Sequence, residues 1–391
     1  MTARPLEGLR VVDLTHVIAG PFAAHQLAAL GADVVKVEHP DEPDMARAMG
    51  VGAEAGMGAV FRAHGAGKKA VSLDFSTSAG LADMHALLAD SDVLIENYRA
   101  GALDRFGLDY GTLRTRYPHL IYCSITGFGQ HGARRGLPAY DNVIQASSGL
   151  MSLNGGRIGA PVIDYATGLT AAFAISAALA QRGNDGLGQH IDVVMQDVAL
   201  TLASAAVLRV SENKSGDNAT LRPAQRAEGH PGLACYETSD GMVMIGALNA
   251  RQLARTAALL DAPPNLLERA ALASDGGHER ARLFLADRLA TATAEEWEQR
   301  FNLAGVPAQR VRTLATAVAD ARASGDGHLS PVSEGSGLAP VAGFRLSGAR
   351  LRHDLPPPAH GAHNAQPLGV GWSAWNALKR AETSSASPQS T

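Results

Sequence analysis

The strongest constraint in this sequence is an alternation, over its first half, between short β-branched runs and helical stretches of about ten residues. Arg10–Leu14 and Asp33–Val37 read as strands on either side of Phe22–Leu30, an Ala/Leu-rich helix introduced by Pro21. Pro21 is expected at the first helical position, where its missing N–H costs nothing. The pattern continues with strand Val71–Leu73, helix Ala79–Leu88, strand Asp92–Ile95 and strand Leu120–Ile125. Strands separated by whole helices cannot pair through tight turns. They pair in parallel through right-handed crossovers, which implies an α/β layered domain.

Two long helices are expected next, Tyr165–Gln181 and Gln196–Val210, with Asn184-Asp185-Gly186 as a turn and Gln189–Val194 as a strand between them. The 391 residues allow two or three domains. Residues 1–210 read as the first part of a large domain and the polar, aperiodic 211–232 as a linker. A small domain is expected over 233–330, with a hairpin of Ala234–Glu237 and Met242–Gly246 around Asp240-Gly241 and helices over Ala250–Leu260, Arg280–Ala292 and Ala294–Leu303. Residues 331–380, rich in Gly and Pro, are expected to return to the large domain, and 381–391 to form a disordered tail.

Composition removes several classes. A net charge of −4 lacks the basic footprint of a nucleic-acid binder. With 46% hydrophobic and 18% charged residues, the chain can bury a sizeable core. Cys123 and Cys235 are the only cysteines, so no disulfide framework or cysteine zinc cluster is expected, and the cytoplasm is the expected compartment. The N-terminus lacks a signal-peptide apolar run. Leu169–Ala180 and Val198–Val207 fall short of the ~20 residues that cross a bilayer, so no membrane association is expected.

Gly127-Phe128-Gly129-Gln130-His131-Gly132 spells a dinucleotide fingerprint, but Gly136 and Pro138 follow where a helix should open. A glycine-rich loop is the better reading than a nicotinamide site. His353, His360 and His363 near Asp354 form the only local histidine cluster and read as an exposed connecting loop; no metal site is expected. There is no G-x-S-x-G elbow and no P-loop. Asp164, ahead of the long Ala-rich helix, reads as an N-cap whose carboxylate the helix dipole keeps ionised. An ionised carboxylate in a partly dry cleft can also act as a nucleophile.

A set of ordered blocks bears on that choice. LRVVDLTHVIAGP (Leu9–Pro21), LGADVVKVE (Leu30–Glu38), KKAVSLD (Lys68–Asp74), DVLIENYRAGALDRFG (Asp92–Gly107), YCSITGFGQ (Tyr122–Gln130), YDNVIQASSGLM (Tyr140–Met151), Asp164–Gly168 and GQHIDVVMQD (Gly188–Asp197) follow one another. His230-Pro231, Asp240-Gly241 and Ala304–Pro307 continue the series. Together they resemble the family III CoA-transferases of the CaiB/BaiF type. The resemblance implies a Rossmann-like large domain with a parallel sheet plus a smaller α/β domain, in an interlocked homodimer. It implies transfer of coenzyme A from an acyl-CoA to a small carboxylic acid, expected to be a dicarboxylic one, through an aspartyl anhydride and an aspartyl-CoA thioester, without a permanently bound cofactor. By the same resemblance Asp164 is the nucleophile, flanked by Tyr140 and Asp141. CoA is expected to meet His16, Val17, Ala19, His39, Leu73, Asp74, Asn97, Tyr98, Arg99 and Arg105.

Three departures narrow the substrate. Ile18 stands where formyl-CoA transferases carry a Gln, Asp141 replaces their Glu, and Gly229-His230-Pro231-Gly232 lies where they have a tetraglycine loop. Formyl and oxalyl substrates are therefore disfavoured. The sister activity, α-methylacyl-CoA racemisation, needs an acid and a base across the α-carbon. Racemases have a His at the position of Tyr140, whose phenol with an ordinary pKa of ~10 is a poor base at neutral pH. A non-catalytic CoA-binding module, with Asp164 a simple cap, is the alternative from a different class.

Overall fold

Six short strands, each built around adjacent apolar residues, form one parallel sheet whose order is β3-β2-β1-β4-β5-β6. They are β1 (Arg10–Asp13), β2 (Asp33–Glu38), β3 (Lys68–Ser72), β4 (Val93–Glu96), β5 (Ile121–Thr126) and β6 (His190–Val194). Strands covered on both faces lose the polar alternation of a half-solvated sheet, and Val11, Val12, Val35, Leu94 and Ile95 have no exposed surface. Register is set by pairs such as Val12↔Val35 and Val12↔Leu94. The order reverses direction between β1 and β4, the doubly wound arrangement whose crevice at the strand C-termini receives ligands.

The computed structural model describes residues 4–212, 229–324, 329–332, 337–364 and 372. The chain forms two compact units, one of Met1–Met151, Arg157–Gly216 and Gly327–Thr391, the other of Ser152–Gly156 and Asp217–Asp326. Residues 213–228 of the expected linker and the expected tail lie outside the described residues.

In the first unit the helices are α1 (Ala19–Ala29), α2 (Ala59–Gly65), α3 (Ser78–Ala89), α4 (Tyr110–Arg116), α5 (Asp141–Ser147), the start of α6 (Leu150–Asn154), α7 (Val162–Asp185), α8 (Met195–Leu202) and α9 (Ser204–Glu212). Helix α1 begins two residues ahead of Pro21, which therefore sits at the third helical position, still within the turn whose N–H groups lack intrahelical partners. The helix expected over 196–210 is broken at Ala203. There the Thr201 hydroxyl bonds back to the Asp197 carbonyl and the Ser204 hydroxyl to the Thr201 carbonyl, in competition with the backbone ladder.

Helix α7 runs 24 residues, longer than expected, and is long and apolar enough to cross a membrane by length and composition. One side lies against α1: a Cβ on Gly168 would stand 2.6 Å from the Ala19 carbonyl oxygen. The other side leaves Leu169 and Phe173 open, Phe173 at 76% exposure.

The histidine-rich segment expected as an exposed loop is tied to this unit. His363 N–H donates to the Ala70 carbonyl and its Nδ1 accepts from Ala70 N–H, His360 meets the Ser72 hydroxyl at 2.9 Å, and His353 lies against His25, Nε2 to Nε2 3.1 Å. The two bonds of His363 satisfy backbone groups on the free edge of β3, which a loop in solvent would leave unpaired. Trp372 is buried and donates to the Leu87 carbonyl.

The second unit holds an antiparallel sheet of β7 (Cys235–Glu237), β8 (Met242–Ile245) and β9 (Ala308–Arg310). The first two form the hairpin foreseen around Asp240-Gly241; β9 was not foreseen. Helices α10 (Ala250–Leu259), α11 (Arg269–Leu272), α12 (Gly277–Leu289), α13 (Ala294–Leu303) and α14 (Leu314–Ala323) accompany it. Tyr236, Val243, Ile245, Leu285, Trp297 and Phe301 make its core.

Candidate active site

A cavity of about 280 Å³ opens at the reversal of strand order in the first unit. The turn after β1 supplies His16, Val17, Ile18 and Ala19, and the turn after β4 supplies Asn97, Tyr98 and Arg99. The loop after β5 contributes Thr126 to Gly129 and Leu137 to Tyr140; Met45, Asp164 and Met195 complete the wall.

The turn after β1 is held under strain. Val17 adopts φ +70°, a left-handed conformation costly for a β-branched residue. Its N–H donates to Asp44 Oδ1 at 2.9 Å. His16 N–H donates to Asn97 Oδ1 at 2.8 Å while Asn97 Nδ2 donates to the His16 carbonyl at 2.9 Å. The Asn97 side chain is thus used up in clamping the two turns together, and the His16 ring meets Tyr98 edge-on at 5.0 Å. Burial, with Lys36 behind it, holds the His16 imidazole below its ordinary pKa, so it is neutral at neutral pH.

Beneath the turn lies a buried ionic network. Lys36 Nζ donates to the Thr15 carbonyl at 2.6 Å and lies 3.0 Å from Asp44 Oδ2. Lys68 Nζ donates to Asp13 Oδ2 at 2.8 Å and to the Pro21 carbonyl at 2.9 Å. Arg47 forks onto Glu38 at 2.8 and 2.7 Å. Each charge has an opposite partner and further hydrogen bonds, without which burial would be prohibitive. Against the burial that opposes them, the two lysines hold the Asp13 carboxyl far below the usual range.

Asp164 sits in the first turn of α7, but it is not the cap. The helix starts at Val162 with Pro161 before it, which makes Asp164 the third helical residue. The cap comes from a distant part of the chain: Asp141 Oδ2 accepts the Ile163 N–H at 2.7 Å and the Asp164 N–H at 3.2 Å. Gln145 Nε2 fixes the other oxygen of Asp141 at 2.5 Å. The expected ionisation is also corrected. Burial first, and then the neighbouring Asp141 charge, push the Asp164 carboxyl up to about 7, overriding the helix dipole.

Of the residues singled out from the sequence, His16, Val17, Ala19, Asn97, Tyr98, Arg99, Tyr140 and Asp164 line this one cavity. Tyr140 is 56% exposed there. Asp141 lies behind the wall, buried. His39, Leu73, Asp74 and Arg105 do not line it. His39 Nε2 is 3.6 Å from Asp74 Oδ1, Leu73 is in the core, and the Arg105 guanidinium lies over Phe106 at 4.5 Å. Met45, Phe128, Leu137 and Met195 line the cavity without having been foreseen. Lys36, a charge inside the apolar run Val34–Val37, was the available signal for the network below.

The Gly127–Gly132 run opens no helix: Gly129 N–H donates to Thr126 Oγ1, and the next helix begins at Asp141.

Residues 6–364 match the family described as CoA-transferase family III. The chain is 34% identical to the succinate–glutarate CoA-transferase of Agrobacterium fabrum, over 93% of this chain and 95% of that protein. It is 32% identical to the human succinyl-CoA:glutarate CoA-transferase, over 93% of this chain and 85% of that one. A crystal structure of a CaiB/BaiF family protein from Brucella suis superposes with a TM-score of 0.77 at 32% identity, covering 96% of this chain and all of that one.

Proposed function

The chain belongs to CoA-transferase family III, and from that premise we propose that it carries CoA from a dicarboxylic acyl-CoA, succinyl-CoA in the first instance, to a second dicarboxylic acid such as glutarate, with Asp164 as nucleophile. The observation that carries this reading is the position of Asp164. Among the described residues it is the only carboxylate lining the cavity at the strand reversal, facing the turns after β1 and β4.

The ionised Asp164 attacks the thioester carbonyl and expels CoA thiolate, leaving a mixed anhydride. The thiolate attacks the aspartyl carbonyl of that anhydride, releases the donor acid as its carboxylate and leaves an aspartyl-CoA thioester. The acceptor carboxylate then attacks the same carbonyl, regenerating the thiolate and a new anhydride. Attack of the thiolate on the acceptor's acyl carbon forms the product thioester and restores Asp164. Each step exchanges one activated acyl bond for another, so no external energy source enters the balance. A carboxyl with a pKa near 7 is a stronger nucleophile when ionised than an ordinary one, and enough of it is ionised at neutral pH to react.

In this reading His16, Val17, Ala19, Tyr98 and Arg99 receive the thioester end of CoA, with Asn97 holding the two turns. His39, Leu73, Asp74 and Arg105, at or just beyond the ends of β2, β3 and β4, receive the nucleotide end. Tyr140 borders the reacting groups and Asp141 orients Asp164. The exposed apolar face of α7 around Leu169 and Phe173 supports a homodimer, since such a surface is unfavourable in water.

The test is turnover of succinyl-CoA with a panel of dicarboxylic acids, followed by trapping of the Asp164 thioester with hydroxylamine and peptide mass mapping. The expected result is transfer and a hydroxamate at Asp164. Absence of transfer to every acid, or α-proton exchange of an α-methylacyl-CoA in deuterated water as the sole activity, overturns the reading.

A further inference from the structure

At the C-terminal end of β4, two consecutive side chains turn back to fix the cavity wall. Asn97 clamps the turn after β1, as described. Glu96 fixes the turn that contains Asn97 itself: its Oε2 accepts the Tyr98 N–H at 2.8 Å, inside the sheet, with 4% of the residue exposed. The Ser124 hydroxyl on β5 hydrogen-bonds the same carboxyl, and Ser124 Oγ lies 2.9 Å from His190 Nε2 on β6.

The charge environment of Glu96 differs from that of the buried acids in the network beneath the β1 turn. Asp13, Glu38 and Asp44 each face a Lys or Arg. Glu96 has no ion-pair partner among the described residues, and the charge that acts on it is another carboxylate, Asp192 on β6. From β5 it faces Ser124, with Tyr122 and Cys123 nearby, both held protonated by burial. From β6 it faces Asp192 and His190, whose imidazole burial keeps neutral. On the β1 side Asp13 is already engaged by Lys68. Burial therefore raises the Glu96 carboxyl to about 7.

Resting on the CoA-transferase reading above, we propose that Glu96 is a positioning residue whose carboxyl must carry its proton for the Asn97–Tyr98–Arg99 turn to receive CoA, so that CoA binding draws a proton onto Glu96. CoA brings several phosphate charges to the same C-terminal edge of the sheet, while its thioester end meets a cavity wall that stands directly on this buried group. An ionised Glu96, uncompensated and poorly screened, opposes that approach, whereas the neutral form does not. The Tyr98 N–H is accepted in either state, so the turn persists and its readiness for an anion is what changes.

The experiment is calorimetric titration of free CoA into the full-length wild type and Glu96→Gln between pH 6 and 8. If only the neutral form binds, the competent fraction falls from about nine-tenths to about one-tenth, and the wild-type Kd rises about tenfold relative to the variant. The proton-uptake difference between the two proteins, from buffers of different ionisation enthalpy, rises through pH 7, from about a tenth of a proton at pH 6 to about nine-tenths at pH 8. Titration of the CoA phosphates and of Asp164 is common to both and cancels in the comparison. Identical pH dependence in the two proteins overturns the proposal while leaving the CoA reading intact. Absence of CoA binding to either protein overturns both. Ser124→Ala serves if Glu96→Gln does not fold: removing the hydroxyl donor disfavours the carboxylate, so the loss of affinity moves to higher pH. An unmoved profile in that variant overturns the proposal as well.

Discussion

Asp141 and Asp164 are joined by one hydrogen bond that sets two properties at once. The Asp141 carboxylate accepts the backbone N–H of Asp164 at 3.2 Å, and of Ile163 at 2.7 Å, so it closes the N-terminus of α7. Its charge also adds to the burial that raises the Asp164 carboxyl to about 7. The same side chain positions the candidate nucleophile and tunes it.

Asp164→Asn removes the nucleophile while keeping the shape of the side chain. CoA transfer from succinyl-CoA should fall by on the order of 10⁴-fold or more, with free CoA still bound. Product chromatography and calorimetry measure the two quantities. A variant that transfers CoA at wild-type rate removes Asp164 from the mechanism.

Asp141→Asn keeps an acceptor for the two N–H groups and removes the charge. Without that charge the Asp164 carboxyl falls from about 7 toward its ordinary value, burial still holding it up. The acid limb of the kcat profile should therefore move to lower pH. Asp141→Ala removes the cap as well and should cost about 1–2 kcal/mol of stability, read from urea unfolding.

The raised carboxyl of Asp164 also has a stability consequence of definite sign. A group whose folded pKa lies near 7 against 3.8 in the unfolded chain binds more protons when folded. Its contribution is present below the unfolded pKa and is lost as pH rises through 7. Asp164→Asn should therefore be more stable than the wild type at pH 8, by up to a few kcal/mol, and the gain should vanish at pH 4. Thermal melts at the two pH values decide this; an equal shift at both would contradict it.

Gly168, one turn beyond Asp164, is where α7 touches α1. A Cβ there would lie 2.6 Å from the Ala19 carbonyl oxygen and 2.9 Å from Phe22 Cδ1. Gly168→Ala should force the helices apart at a cost of about 1–3 kcal/mol and displace Asp164 from the turn it faces. Tm and kcat should fall together, because Ala19 belongs to the cavity wall.

Lys68→Met leaves Asp13 charged and buried without its partner. The expected loss is about 3–5 kcal/mol in denaturant unfolding. Replacing Asp13 by Asn in the same chain should recover much of it, since the cost is that of the stranded charge and not of the missing bond.

Much of the first unit was legible because a strand buried on both faces needs adjacent apolar, often β-branched residues, and Val11-Val12, Val34-Val35 and Val93–Ile95 supply them. Local rules failed where a distant segment intervened. Asp164 has the residue type and position of a helix cap, yet Asp141 occupies that role, and nothing near position 164 announces it. His353, His360 and His363 lie among glycines and prolines that suggest a solvent loop, yet they meet α1 and β3.

The order of amino acids by itself determined the alternating α/β plan, the family and the identity of the candidate nucleophile, because periodicity and ordered motifs are properties of neighbouring positions. Only the tertiary structure decided the protonation of Asp164 and Glu96, the strained turn at Val17 and the clamp from Asn97 to His16. The first two depend on burial and on charges brought close from far along the chain, the last two on hydrogen bonds that Asp44 and Asn97 make to a distant turn. All of these are functions of distance in space.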